Sequence, residues 1–219
     1  MNNIAIYGAG GFGKEVACLI NLINKKSKTW KLLGYFDDNN DIKDKKFNDL
    51  EVLGGLDDLN KFTEPLSIIF SIGNPMLIQK ICKKIYNNNI LFPNIISPDC
   101  VFLDPNNTRI GKGNLIMPQS LISCNVSIGN FNLMNCGVSI GHDSIIGSYN
   151  SLMSYTKISG EVNIGDLNYF GACSLVLQQK KIGSNTLIGA SSVIMRNTED
   201  ENTYLGNPAV KILKPKSNK

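Results

Sequence analysis

The chain has 219 residues, 42% of them hydrophobic and 18% charged, enough apolar material for a substantial core and too much for a disordered or fibrous chain. Its formal charge of +4 is spread over scattered lysines as far as the tail Lys211, Lys214, Lys216, Lys219, which argues against nucleic-acid binding and reads as a solvated end. No run approaches the roughly 18 apolar residues of a membrane span, and MNNIAIYGAG enters a strand without a signal-peptide pattern, so a cytoplasmic protein without membrane contact is expected. Six cysteines (Cys18, Cys82, Cys100, Cys124, Cys136, Cys173) form no CxxC pair, and there is one histidine, so free thiols and no metal site are expected.

Residues 1–93 alternate strand-like and helix-like segments. The apolar run Ile4 to Tyr7 leads into Gly8-Ala-Gly-Gly-Phe-Gly13 and a helix with Val16, Leu19, Ile20 and Ile23 on one face. A second run, LLGYF, ends at Asp37 and Asp38; a third, SIIFSIG, precedes a helix from Pro75 to about Tyr86. This βαβ rhythm predicts an α/β, Rossmann-like domain with a parallel sheet. The glycine-rich loop opens a helix, where backbone N–H groups favour phosphate, and Asp37 is placed to accept from a ribose. Taken literally this is a dinucleotide site. The diphosphate of a nucleotide sugar suits the loop better, because no dehydrogenase-like catalytic domain follows.

Instead the grammar changes over residues 94–196. Stepping by six from Ile110 through Ile116, Ile122, Ile128, Met134 and Ile140 to Ile194 gives fifteen apolar residues without a slip. Glycine often follows, as at Gly111, Gly129, Gly141, Gly147 and Gly165, and a small or short polar residue stands four positions on. Neither a helix period of 3.6 nor a strand period of 2 accounts for this. A solenoid does: three hexapeptides per triangular coil point the aliphatic residue inward, with Gly and Asn expected at the turns for positive φ. Residues 197–219 then form a C-terminal cap and tail.

His142, the lone histidine, stands two residues after the inward Ile140 and beside Asp143. A lone histidine is more often structural than catalytic; beside a carboxylate that fixes its tautomer it is also the commonest general base. Stepping by 18 puts Cys124 and Gly160 in the neighbouring coils, about 4.8 Å away, which permits a Cys–His dyad although a stacked cysteine more often packs. Cys100 and Cys136 fall two coils apart, about 9.6 Å, beyond disulfide reach.

The glycine-rich βαβ start, the hexapeptide solenoid with its His-Asp pair, and the ending Gly206-Asn-Pro-Ala209 together resemble the bacterial sugar O/N-acyltransferases with a left-handed parallel β-helix. That family includes N-acetyltransferases of nucleotide-linked amino sugars and sialic acid O-acetyltransferases. The resemblance implies a homotrimer with acetyl-CoA along the groove between neighbouring solenoids, and no metal. It implies His142 as base for direct attack on the thioester, Asp143 as its orienter, and Asn135 near the acceptor. It places Gly160, Ala172 and Ala190 on the pantetheine arm and Gly10, Gly11, Asp37 and Asp38 at the nucleotide-sugar end. Two positions depart from relatives that carry histidine there: Ser151, whose hydroxyl is expected to reach the thioester carbonyl, and Phe12 in the loop, which bears on the sugar bound. The leading expectation is N-acetylation of a nucleotide-linked amino sugar for a surface glycan, with O-acetylation of a sialic-acid-like or other sugar hydroxyl as the alternative. An NAD-binding oxidoreductase and a non-catalytic sugar-binding scaffold are the readings from other classes.

Overall fold

Ile4, Ala5, Ile6 and Tyr7 are an uninterrupted apolar run, the pattern of a strand covered on both faces, and in the computed structural model they lie inside a parallel sheet. The structure describes residues 1–43 and 45–212; the expectation of a solvated tail at Lys214, Lys216 and Lys219 lies outside them. Strand β1 (Asn2–Tyr7) is followed by α1 (Gly11–Lys26), β2 (Trp30–Phe36), β3 (Lys46–Phe47), β4 (Leu50–Gly54), α2 (Leu56–Asn60), β5 (Leu66–Phe70), α3 (Pro75–Cys82) and β6 (Ile90–Leu91). The order across the sheet is β3-β4-β2-β1-β5-β6, with only β3 antiparallel to its neighbour. The chain leaves β1 toward β2 on one side and reaches β5 on the other, so a crevice opens at the carboxyl ends of β1 and β5.

Two details differ from the sequence reading. A hairpin joins β3 to β4 through Asn48 and Asp49, whose φ values of 50° and 62° are those of a two-residue turn that short polar side chains tolerate. Helix α3 stops at Cys82, short of the expected Tyr86, where Asn87 Nδ2 donates to the carbonyls of Leu59 (3.2 Å) and Phe62 (2.7 Å) and ties the chain to the end of α2.

From Ile95 the chain winds as a left-handed parallel β-helix with three faces. Face one runs from Ile95–Ile96 through Leu133–Met134 and Ser151–Leu152 to Leu187–Ile188, ending in Thr203–Gly206 and the antiparallel Ala209–Ile212. Face two runs from Val101–Phe102 through Ser139–Ile140 to Val193–Ile194, and face three from Arg109–Ile110 through Ile145–Ile146 to Lys181–Ile182. The inward residues stack in register, Ile116 on Met134, Leu152, Phe170 and Ile188. Of the fifteen, all but Ile110 are fully buried, and that residue packs on the same core from the first strand of face three. A polar side chain at any of these positions would enter a dry column, which is why the six-residue pattern does not slip.

The turns correct one expectation. The left-handed positions are held mostly by residues other than glycine: Asn125, Phe131, Asp143, Tyr149, Tyr155, Leu167 and Cys173 have φ between 55° and 63°. The recurring glycine stands elsewhere, directly after the inward residue. A β-carbon at Gly129 would come within 2.6 Å of the Gly147 carbonyl oxygen, and one at Gly147 within 2.5 Å of that of Gly165. Coil-on-coil contact, not φ, requires glycine there. Each left-handed residue costs about 1–2 kcal/mol. Hydrogen bonds offset part of this, as when Phe131, Tyr149 and Leu167 N–H donate to Lys112, Asn130 and Ser148 at 2.8, 2.8 and 2.9 Å. Asn114, Asn132, Asn150 and Asn168 form a buried spine in which each Oδ1 accepts the backbone N–H of the next coil at 2.8–2.9 Å.

The N-terminal sheet covers face one. Leu115, Met117 and Leu133 share an apolar cluster with Ile4, Ile6, Val16 and Leu19. Beside it Phe131 packs between Phe92 and Tyr149, with ring centroids 5.1 and 5.2 Å away. Outward residues of the other faces, among them Val101, Leu121 and Ile145, stay exposed. Among the described residues no helix is long and apolar enough to cross a membrane. The stacking account is checked by urea unfolding: Gly129→Ala is expected to lose about 1–3 kcal/mol by overpacking. Gly10→Ala, whose β-carbon meets nothing within 4 Å, is expected to hold its stability.

Candidate functional site

His142 lies on the corner where face two turns into face three, just past Ser139–Ile140, with its side chain about half exposed. Asp143 follows in the left-handed conformation (φ 58°), which turns its carboxylate beside the ring, Oδ2 lying 2.8 Å from His142 Nδ1. Asn125 Nδ2, one coil earlier, donates to the other oxygen, Oδ1, at 2.7 Å. These two bonds, Asn125 first and His142 second, hold the Asp143 carboxyl below the usual carboxylate range. An ionised carboxylate can only accept, so in the neutral ring Nδ1 carries the proton and Nε2 offers a lone pair. Gly160 in the next coil makes room for the ring: a β-carbon there would come within 2.6 Å of His142 Cε1.

The rest of this corner is polar. Glu161 accepts from Gln178 Nε2 at 2.8 Å and Gln179 Nε2 at 3.0 Å, and these bonds, Gln179 first, lower its carboxyl below the ordinary range. The Cys124 carbonyl accepts the Asp143 N–H at 3.0 Å, whereas no hydrogen bond among the described residues joins its thiol to His142. The dyad weighed for Cys124 is therefore absent, and the partner of His142 is Asp143. None of the six cysteines forms a disulfide.

The glycine-rich loop forms a second cluster at the carboxyl end of β1. Gly8 (φ 115°) and Gly13 are packed tightly, the first against Ser71 Oγ and the second against Gly8 itself, so neither admits a side chain. Gly10 and Gly11 have open space where a β-carbon would sit, and Gly10 caps α1 with no side-chain bond and no acidic residue in the first turn. This is a helix start left free for an anion. A cavity of about 350 Å³ adjoins it, lined by Gly10, Gly11, Lys14, Asp37, Asn39 and Phe47. Asp37 accepts from Ala9 N–H at 2.8 Å and Asn39 N–H at 2.9 Å, so its first task is to brace the loop. Asp38 accepts from Tyr7 Oη and from Leu56 N–H, both at 2.9 Å. Burial foremost, then the Asp38 bond, pushes the Tyr7 hydroxyl well above its usual range.

The remaining residues do not gather around His142. Asn135, Ala172 and Ala190 lie where face one turns into face two, the corner beside α1, and Asn135 Oδ1 accepts the Cys136 N–H at 2.7 Å. Between that corner and α1 is an apolar cavity of about 620 Å³ touching Glu15, Cys18, Met117 and Cys136. Phe12 is half-buried against the cluster that joins the N-terminal sheet to face one. Ser151 is also on face one, fully buried between Leu133 and Tyr169 in register, and its hydroxyl finds no partner among the described residues. A hydroxyl closed off in this way is not open to a thioester, contrary to the role expected of it. Among the described residues no group of three or more His, Cys, Asp or Glu side chains is placed to hold a metal ion.

Residues 3–85 match the PglD N-terminal domain family. The chain is 31% identical over 154 residues to a GDP-perosamine N-acetyltransferase of Escherichia coli O157:H7, covering 68% of this chain and 66% of that relative, a little under two thirds of its length. The acetyltransferase domain of PglB from Neisseria gonorrhoeae FA1090 superimposes with a TM-score of 0.88 at 25% identity, over 97% of this chain and 100% of that one. The chain thus carries the PglD-type N-terminal domain and has, over nearly its whole length, the fold of such acetyltransferases, an α/β domain followed by a left-handed β-helix. A perosamine N-acetyltransferase mutant from Caulobacter crescentus, crystallised with CoA and GDP-perosamine, shares this fold with a TM-score of 0.86 at 22% identity over 98% of both chains.

Asn125, Glu161, Gln178 and Gln179 were within reach of the sequence, since stepping by 18 from Asp143 arrives at Asn125, Glu161 and Gln179, and from His142 at Gln178. Lys14, Asn39 and Phe47 carried no such signal, because the β3–β4 hairpin brings Phe47 to the loop. The burial of Ser151 is tested by Ser151→Ala. Removing an unpaired buried hydroxyl is expected to leave stability unchanged or raise it by up to ~1 kcal/mol in thermal unfolding, whereas a clear loss would reveal a bond to that oxygen.

Proposed function

We propose that the chain transfers the acetyl group of acetyl-CoA to the amino group of a nucleotide-linked amino sugar destined for a surface glycan, in the cytoplasm. The observation that carries this reading is the half-exposed His142 side chain, whose Nδ1 is held by Asp143 so that Nε2 is the nitrogen with the lone pair. The amine nitrogen attacks the thioester carbonyl carbon directly; Nε2 takes the proton lost from that nitrogen and returns it to the departing CoA sulfur. The imidazolium formed in between is stabilised by the ionised Asp143. Base catalysis of this kind contributes about 10²–10⁴ in rate, with positioning of the two substrates supplying more. The GDP-perosamine N-acetyltransferase among the relatives supports an amine acceptor, and the PglB domain, crystallised with acetyl coenzyme A, supports the donor. The open helix start at Gly10 and Gly11, with Lys14 nearby, fits the diphosphate of the nucleotide.

The same reading makes the enzyme a homotrimer. The N-terminal sheet, with the glycine loop, covers face one, while His142 occupies the corner opposite that face. A six-residue side of the prism spans up to ~20 Å, so a sugar held at the loop of one chain does not reach His142 of the same chain through the solenoid. The residues expected on the pantetheine arm divide in the same way, Gly160 on the His142 corner and Ala172 and Ala190 on the other. Juxtaposing copies around an axis along the solenoids unites both pairs. In these terms residues 1–93 bind the nucleotide sugar, 94–196 carry the chemistry, and the segment that follows, described as far as Ile212, caps the solenoid.

The experiment is a thiol-release assay with acetyl-CoA over UDP-, dTDP- and GDP-linked 4-amino sugars and free sialic acids. Turnover of a nucleotide amino sugar is expected, falling by about 10²–10⁴ in His142→Ala. Turnover of hydroxyl acceptors alone would reverse the choice of acceptor. Full activity in His142→Ala would remove the histidine from the mechanism.

A further inference from the structure

We infer that Asn125 is a positioning residue for the acyl-transfer site: it holds the Asp143 carboxylate in the one orientation that pins the His142 tautomer. The inference rests on the reading of His142 as the base. Asp143 projects from an exposed corner with its side chain about half open to solvent. A carboxylate so placed is free to change rotamer and exchange its hydrogen bond to the imidazole for water. Asn125 occupies the equivalent left-handed position one coil earlier (φ 55°) and donates Nδ2 to Oδ1 at 2.7 Å, which directs Oδ2 at His142 Nδ1, 2.8 Å away. The carboxylate is thereby held from both sides.

Two further observations separate this from a structural role. The same left-handed slot holds Phe131, Tyr149, Leu167 and Cys173 elsewhere in the solenoid, so the backbone does not demand asparagine at 125. Asn125 is itself exposed, and its amide contributes nothing to the core. The other carboxylate of this corner, Glu161, has one oxygen engaged by Gln178 and the other by Gln179. Asp143 alone is presented to the ring, and Asn125 is the side chain that aims it. The arrangement is an Asn–Asp–His relay running across two coils, in which the first member acts only through the second.

The chain has a single histidine, so its ring nitrogens are read by ¹⁵N NMR without ambiguity. The test uses Asn125→Gly, since glycine accepts the positive φ and removes only the amide. The unfolding midpoint is expected to stay near wild type. The neutral ring is expected to move from the Nδ1–H form toward a mixture with Nε2–H. Turnover is expected to fall about 10-fold, the low end for a histidine's outer partners, with KM for acetyl-CoA little changed. Asn125→Ala is the second variant should the glycine form not fold. A folded variant with wild-type tautomer signals overturns the inference. Activity retained by His142→Ala while Asn125→Gly still shifts the tautomer would instead sink the base assignment and leave the relay standing.

Discussion

Successive coils lie about 4.8 Å apart, the spacing of paired strands, and the rest of the molecule is arranged around that distance. It demands an inward apolar residue on every side of every coil, from Ile116 to Ile194, because each must touch its counterparts above and below. It forbids a β-carbon at Gly129 and Gly147, where the next backbone passes too close. It also lets the Asn114–Asn168 spine satisfy one turn after another from side chains alone. At the corners the same distance becomes useful chemistry. Side chains one coil apart are within hydrogen-bond reach of one another, so a relay can be assembled from residues 18 apart, as with Asn125 and Asp143.

A prism has faces and corners, and the chain uses them for different purposes. Face one is spent on docking the N-terminal sheet, through Leu115, Met117, Leu133 and the Phe92–Phe131–Tyr149 stack. The corner opposite carries His142, whose ring lies over Gly160 and whose orientation is set by Asp143. The open helix start at Gly10 and Gly11 belongs to the docked domain, on the other side of the solenoid. Each half of the proposed site is well built within one chain, and the proposed assembly of copies is what brings them together.

Much of this could be read from the residues. The inward column was legible because a dry stack tolerates no polar substitute, and the βαβ start because Ile4–Tyr7 and the glycine loop have few other uses. His142 and Asp143 stood out as the lone histidine beside an acid, and the structure joins them at 2.8 Å. What escaped depended on contacts between coils or domains. The recurrent glycine looks like a turn former until the neighbouring carbonyl is seen beside it. Ser151 looks like a substitute for a second histidine until the N-terminal sheet is placed over face one. The β3–β4 hairpin has two residues in its first strand, too few for any periodicity, and Asp37 and Asp38 turn out to brace the loop and α2 before they can serve a nucleotide.

The central claim is that the loop of one copy works with His142 of another, and mixed oligomers test it most directly. Two inactive chains with different tags, His142→Ala and Gly11→Asp, would be co-expressed and the doubly tagged assemblies isolated. In each mixed trimer one of the three sites pairs an intact His142 with an intact loop from the neighbouring chain, so activity is expected to return to about a third of wild type. Mixed assemblies as inactive as either parent would contradict the account and place both halves of the site within a single chain.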